Sequence, residues 1–236
     1  MSAERGGETV SEPIRWSRRG VLLLPGAVLA SGRLFAQQRP AEGPVSFEQL
    51  PANLPAPTDD GAARHLTGMA LPDLELVSTS NRRVNLSKIP SPRLVIYAYP
   101  MTGRPGSPLP EGWDDIPGAR GCTPETCGFR DHHAELKKLG AEVFGVSVQS
   151  TDYQQEMVTR LKVPFEVLSD ERMALTHALK LPTFVAGGMT LTKRLTIVAR
   201  KGRIEHVFYP VFPPDTHADQ VIAWLKNHAG DGGLSS

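Results

Sequence analysis

Gly-Cys-Thr-Pro-Glu-Thr-Cys-Gly-Phe-Arg-Asp, residues 121–131, contains both cysteines of this 236-residue chain, Cys122 and Cys127. Thr123 is a good N-cap and Pro124 is tolerated at the first helical position, so the stretch reads as the start of a helix. Phe129, Leu136 and Leu139 continue at helical spacing, and Lys137-Lys138 ahead of Gly140 reads as the last turn and its stop. A thiolate at a helix N-terminus faces the positive end of the helix dipole, which lowers its pKa and raises its reactive fraction. Two residues five apart in regular helix have Cα atoms roughly 8–9 Å apart. A disulfide needs them within about 7 Å. The pair therefore does not bridge while the first turn is helical, and closing it requires that turn to unwind. This is a redox switch rather than a static structural disulfide.

Around this stretch the pattern is that of an α/β domain. Leu74-Glu75-Leu76-Val77 and Arg83-Val84-Asn85-Leu86 flank a Ser/Thr/Asn turn and read as a hairpin. The apolar run Leu94 to Tyr99, ended by Pro100, reads as a strand buried on both faces, as does Val143 to Val148. Thr151 with Gln154 forms a capping box for a helix through Met157 and Leu161. Phe165 to Leu168 reads as a short strand and Arg172 to Leu179 as a short helix. Leu195 to Val198 and Ile204 to Phe208 form a second hairpin about Arg200-Lys201-Gly202. Asp215 caps a final helix with Ala218, Val221, Ile222 and Leu225 on its apolar face. Strands alternating with helices, then a hairpin and a closing helix, give a mixed central sheet flanked by helices.

The globular part spans 64–229, with 101–120 a Gly- and Pro-rich insertion ahead of the cysteines. Residues 37–63 read as a Pro-rich arm and 230–236 as a tail. In the first 36 residues, Ser17-Arg18-Arg19-Gly20 precedes a short apolar run, Val21 to Ala30. That is the pattern of a twin-arginine export signal, too short to span a bilayer. Export would put the thiols in a compartment where disulfides persist, with no stable membrane association after processing. A cytoplasmic protein with a disordered tail is the alternative. Lys and Arg number 26 against 25 Asp and Glu, and aromatic residues are 6% of the chain and not interleaved with basic clusters. No nucleic-acid partner is indicated.

The chain from Leu71 to His228 resembles the peroxiredoxins, thiol peroxidases on a thioredoxin-like fold. It is most similar to the bacterioferritin-comigratory-protein type, with two cysteines five apart on one helix. The motifs that carry the resemblance are Tyr99-Pro100, Gly121 to Asp131, Leu168-Ser169-Asp170, and Lys193-Arg194 ahead of Gly202-Arg203-Ile204. The resemblance implies a peroxidatic Cys122, a resolving Cys127 and an active-site Arg194. It also implies that Glu125 orients the arginine and that Pro100 shields the thiolate. The family keeps Thr or Ser three residues before the reactive cysteine; here that position is Ala119. Thr102 or Thr123 then becomes the candidate hydroxyl, and Arg120 an extra cation near the thiol. The implied reaction is reduction of hydrogen peroxide or organic hydroperoxides by a monomer. It proceeds through a Cys122 sulfenic acid and a Cys122–Cys127 disulfide, with reset by a thioredoxin-like dithiol and no cofactor.

Two other classes fit a dithiol switch: a thiol–disulfide oxidoreductase acting on proteins, and a non-enzymatic redox sensor. The first is expected to carry Cys-x-x-Cys, which this chain lacks. A dithiol metal site lacks a second cysteine pair, and His132-His133 with Glu135 reads as a solvated helix face. His206 reads as an ordinary sheet residue and Pro182 as a loop proline. The purpose of Trp113 and Pro108-Leu109-Pro110 is open between covering the site and lying on the surface.

Overall fold

In β3 (Arg93–Ala98) successive side chains alternate across the sheet. Leu94, Ile96 and Ala98 enter one apolar cluster, while Val95 and Tyr97, with Tyr99 beyond the strand, enter another. The sheet is thus covered on both faces, which explains the unbroken apolar run. The computed structural model describes residues 47–229; the 1–36 export reading, part of the 37–63 arm and the 230–236 tail lie outside them.

The other strands are β1 (Leu76–Ser78), β2 (Arg83–Val84), β4 (Ala141–Ser147), β5 (Val167–Ser169), β6 (Thr183–Ala186), β7 (Met189–Thr192), β8 (Leu195–Arg200) and β9 (Arg203–Phe208). Seven of the nine described strands, β3 among them, form one mixed sheet in the order β2-β1-β5-β4-β3-β8-β9. β3 runs parallel to β4 and antiparallel to β8, and both expected hairpins are present. The helices are α1 (Cys122–Asp131), α2 (His133–Lys138), α3 (Thr151–Leu161), α4 (Ala174–Leu179) and α5 (His217–Asn227). Phe129, Leu136, Met157 and Leu161 pack on one face of the sheet with the expected α5 stripe, Ala218, Val221, Ile222 and Leu225. Leu175 and Leu179 pack on the opposite face.

Several helix ends differ from their sequence reading. Gly121, not Thr123, is the N-cap of α1, in the left-handed region at φ 106°. A Cβ on Gly121 would meet Pro214 Cγ at 2.3 Å and Leu50 Cδ2 at 2.9 Å, so both conformation and space require glycine there. Cys122 is therefore the first helical residue, two positions earlier than a Thr123 cap would allow. The helix expected to run on to Gly140 bends at His132, whose ring meets Asp219 of α5 at 3.0 Å. Ser150 caps α3 by accepting from the Tyr153 N–H, which displaces Thr151 from the cap. Asp215 lies in a short 3-10 turn, and Thr216 occupies the N-cap of α5. Asp170 caps α4 from a distance, its two carboxylate oxygens accepting from the N–H groups of Leu175 and Thr176.

The sequence reading assigns no element to residues 183–192. They form the separate β6–β7 hairpin, turned by Gly187-Gly188, both at positive φ. Phe184, Ala186 and Leu191 of this hairpin pack with Trp113, Ile116 and Ala119 of the 101–120 segment into a third small core. Trp113 is 3% exposed. The segment is thus held down on its apolar side by the hairpin. The described part of the arm also contacts it: the Phe47 ring lies 5.6 Å from the Arg120 guanidinium, and Pro57 packs on Gly118.

His217, the first residue of α5, is fully buried between Phe129 and Phe208, with Nε2 2.8 Å from Thr196 Oγ1. Burial pushes its pKa from 6.5 down to about 4. The unfolded chain then binds the proton first, so stability is full above about pH 6.5. It falls as the pH drops toward about 4, by up to roughly 3 kcal/mol from this group. Urea unfolding at pH 7 and pH 4.5 should show a loss that is smaller in His217→Gln; equal losses in both proteins would exclude this histidine as a source of acid sensitivity.

Candidate active site around Cys122

β3 ends at Ala98, paired with Leu195 at the beginning of antiparallel β8. Pro100 and Arg194 therefore emerge at the same end of the sheet, and the 101–120 segment returns the chain there to start α1. Two parts of the chain distant in sequence, α1 and the start of β8, bring Cys122, Arg194 and Glu125 into one buried cluster. Their relative exposures are 3%, 3% and 0%.

Arg194 organises this cluster. Its Nη2 lies 3.1 Å from Cys122 Sγ and donates to the carbonyls of Arg120 at 3.1 Å and Ala119 at 3.2 Å. Its Nη1 is paired with Glu125 Oε2. The Cys122 thiol donates to the Ala119 carbonyl at 3.6 Å. Cys122 and Cys127 are both free thiols within one regular helix, Cys122 buried and Cys127 half-buried.

The electrostatics differ from a simple low-pKa cysteine. Burial pushes the Cys122 thiol above its ordinary range; Arg194 and the Met101 N–H pull it down, and the Glu125 carboxylate opposes them. Burial also raises Glu125, to about 7, against the attraction of Arg194. One buried cation thus faces two acids, and the low-dielectric surroundings favour a single negative charge on the pair. A protonated Glu125 leaves the Arg194 charge to the thiolate; an ionised Glu125 competes for it. Burial raises the half-buried Cys127 as well.

The hydroxyl candidates resolve as follows. The Ala119 side chain is fully buried in the third core, and only its carbonyl enters the site. The Thr102 hydroxyl donates to Gln149 Oε1 at 3.2 Å, so it does not serve the thiolate. Thr123 and Pro100 are buried, Thr123 in the first turn of α1. Arg120 brings its carbonyl to Arg194, while its guanidinium is 3.4 Å from Asp114. His132 and His133 turn elsewhere, to Asp219 and to the Phe165 ring. His206 stacks on Trp224.

Two clefts lie in this part of the molecule, the first of them bordered by Arg194. One, of about 300 Å³, is lined by Arg194, Gly118, Ile116, Phe184, Tyr209 and Val211. The other, of about 400 Å³, is lined by Met101, Val148, Tyr153, Met173, Met189 and Leu191. Both linings are mostly apolar.

The sequence profile of the Redoxin family matches residues 66–222, most of the chain. The chloroplastic peroxiredoxin Q of Sedum lineare is 32% identical over 166 residues, covering 70% of this chain and 80% of that protein. The chain belongs to the peroxiredoxins, of the bacterioferritin-comigratory-protein or peroxiredoxin Q type. The chloroplastic peroxiredoxin Q of Oryza sativa subsp. japonica is 31% identical over 183 residues, 75% of this chain and 76% of its own length. Among solved structures, Xanthomonas campestris peroxiredoxin Q superposes with a TM-score of 0.54 at 28% identity, covering 68% of this chain and 97% of that one. A Xanthomonas campestris bacterioferritin comigratory protein, studied for alkyl peroxide reduction, gives 0.54 at 27% identity, with coverages of 68% and 98%. As a peroxiredoxin the chain is a thiol-dependent peroxidase, an oxidoreductase on a thioredoxin-like fold.

Opposite substitutions at the two partners of this peroxiredoxin's Arg194 cluster should move the Cys122 thiol in opposite directions. Glu125→Gln removes the competing carboxylate and should lower the pH midpoint of Cys122 alkylation by about one unit. Arg194→Met removes the cation, should raise that midpoint, and should slow peroxide reduction by roughly a hundredfold or more. A rise in Glu125→Gln would mean that the carboxylate acts only by holding the arginine in place.

Proposed function

We propose that Cys122 is the peroxidatic and Cys127 the resolving cysteine of a monomeric peroxidase acting on hydrogen peroxide and organic hydroperoxides. The observation that carries this reading is the buried Arg194 guanidinium 3.1 Å from the sulfur of a cysteine that opens a helix. A hydrogen-bonded guanidinium and the helix N-terminus both act on the Cys122 sulfur, while Cys127 lies further along the helix and feels Arg130 and Arg160 only through their charge. In the first step the Cys122 thiolate attacks the distal oxygen of ROOH. The O–O bond breaks, the sulfur is oxidised to sulfenic acid, and the RO⁻ leaving group takes a proton to depart as ROH. Arg194 stabilises the thiolate and the charge that develops on the peroxide oxygens.

In the second step the Cys127 sulfur displaces hydroxide from the sulfenic acid, water is lost, and an intramolecular disulfide forms. Because both residues lie in regular helix, the first turn of α1 unwinds for this step. A thioredoxin-like dithiol then attacks the disulfide, leaving both cysteines reduced and its own pair oxidised. The mostly apolar lining of the cleft beside Arg194 supports acceptance of organic hydroperoxides, as does the alkyl peroxide reduction named for the Xanthomonas campestris relative. The twin-arginine pattern at Arg18-Arg19 supports export of the protein before it works.

Peroxide consumption with a dithiol donor should be lost in Cys122→Ser, and retention of wild-type turnover would exclude Cys122 as the attacking thiol. In Cys127→Ser the sulfenic acid persists, so its trapping by dimedone should increase; unchanged trapping would remove Cys127 from the resolving role. Intact mass after one equivalent of hydrogen peroxide should show loss of two hydrogens within one chain, whereas a covalent dimer would point to resolution between chains.

A further inference from the structure

One wall of the cleft beside Arg194 comes from outside the sheet and its helices. Pro57, Thr58 and Asp60 of the arm line it, together with Phe184, Tyr209 and Val211. The arm lies ahead of residues 66–222, so the family resemblance assigns it no role.

Asp60 fixes that wall. Its Oδ2 accepts from Lys193 Nζ at 2.7 Å, and its Oδ1 accepts from the Tyr209 hydroxyl at 2.8 Å and from the Ala62 N–H at 3.0 Å. Lys193 immediately precedes Arg194, and Tyr209 directly follows β9. These donors, Lys193 foremost, hold the Asp60 carboxyl well below the usual carboxylate range. An exposed ion pair is by itself worth little. Here one carboxylate serves three donors from three parts of the chain, and apolar contacts upstream share the load. Pro57 packs on Gly118 and Leu50 on Gly121, and a Cβ on Gly103 would meet the Phe47 ring at 2.2 Å. The arm thus follows the 101–120 segment and its junction with α1 at positions that carry no side chain to displace it.

Arg194 joins the cleft to the thiol. It lines the cleft, and its Nη2 lies 3.1 Å from Cys122 Sγ. A hydroperoxide whose oxygens are held between Arg194 and Cys122 therefore finds about 300 Å³ of mostly apolar space beside them for its organic group. That is the lower end of the range for small-molecule sites. We infer that the arm is part of the peroxide site, with Pro57 and Thr58 touching the organic group of a bulky hydroperoxide and Asp60 the positioning residue that keeps them there. The inference deepens the peroxidase reading and rests on Cys122 being the attacking thiol. Hydrogen peroxide has no organic group to place in the cleft, so the arm acts on the difference between the two kinds of substrate.

The test is single-turnover oxidation of Cys122 to sulfenic acid in a Cys127→Ser background, followed by intact mass, with cumene hydroperoxide and hydrogen peroxide as the probes. The quantity read is the ratio of the two second-order rate constants, cumene hydroperoxide over hydrogen peroxide. Thr58 is exposed, so Thr58→Trp disturbs no core while filling the cleft, and should lower the ratio about tenfold. Asp60→Ala releases the wall and should lower it about threefold. Asp60→Asn keeps an acceptor for Tyr209 and Ala62 but loses the charge facing Lys193, and should lower it less. Asp152→Asn, an exposed carboxylate of α3, should leave it at the parent value. An unmoved ratio in both Thr58→Trp and Asp60→Ala overturns the inference, as does an equal fall with both peroxides. Turnover surviving in Cys122→Ser would instead defeat the reading on which it rests.

Discussion

A single buried guanidinium holds this site together. Arg194 touches the thiol, a carboxylate and two loop carbonyls, and its side chain is almost fully buried. Burial of a charge is tolerable only when its partners are in place. The cluster therefore ties the start of β8, the end of the 101–120 segment and the first turn of α1 to one another. It also makes the two acids interdependent. With Glu125 raised to about 7, small changes near neutrality redistribute the arginine's charge between carboxylate and thiolate.

The same burial sets the terms of the catalytic cycle. A thiol shielded from water is pushed toward its neutral form. The site answers with a directed contact from a cation rather than with solvent. Closing the proposed disulfide means breaking the first turn of α1 and with it the packing of Gly121 against Pro214 and Leu50. The arm, the 3-10 turn before α5 and the helix start meet at that glycine, so the step that resolves the sulfenic acid also loosens the contacts that cover it.

The 101–120 segment is neither surface ornament nor a simple lid. Its apolar residues, Trp113, Ile116 and Ala119, share a small core with the β6–β7 hairpin, while its first residues are bonded to Gln149 and α3. This explains why position 119 carries no hydroxyl: its Cβ belongs to the apolar core and its carbonyl to the site. A threonine there would have to place its hydroxyl among Trp113, Ala186 and Leu191 or turn it back to the thiol.

By itself the sequence determined the two buried strands, the two sheet hairpins, the helical cysteine pair and the apolar face of α5. Each is a local regularity, of period two or 3.6, or a turn between such runs. Gly187-Gly188 between two β-rich tetrads was equally legible, although the sequence reading leaves it without an element. Helix caps were less so, because Gly121, Ser150 and Asp170 owe their roles to what crowds or faces them. Arg194, Glu125 and Pro100 could be named only through family resemblance, since no spacing links residue 125 to residue 194. Gln149 carried no motif at all. Only the tertiary structure decided those partnerships, because an antiparallel strand pair and a returning loop bring together groups whose separation along the chain says nothing of their distance in space.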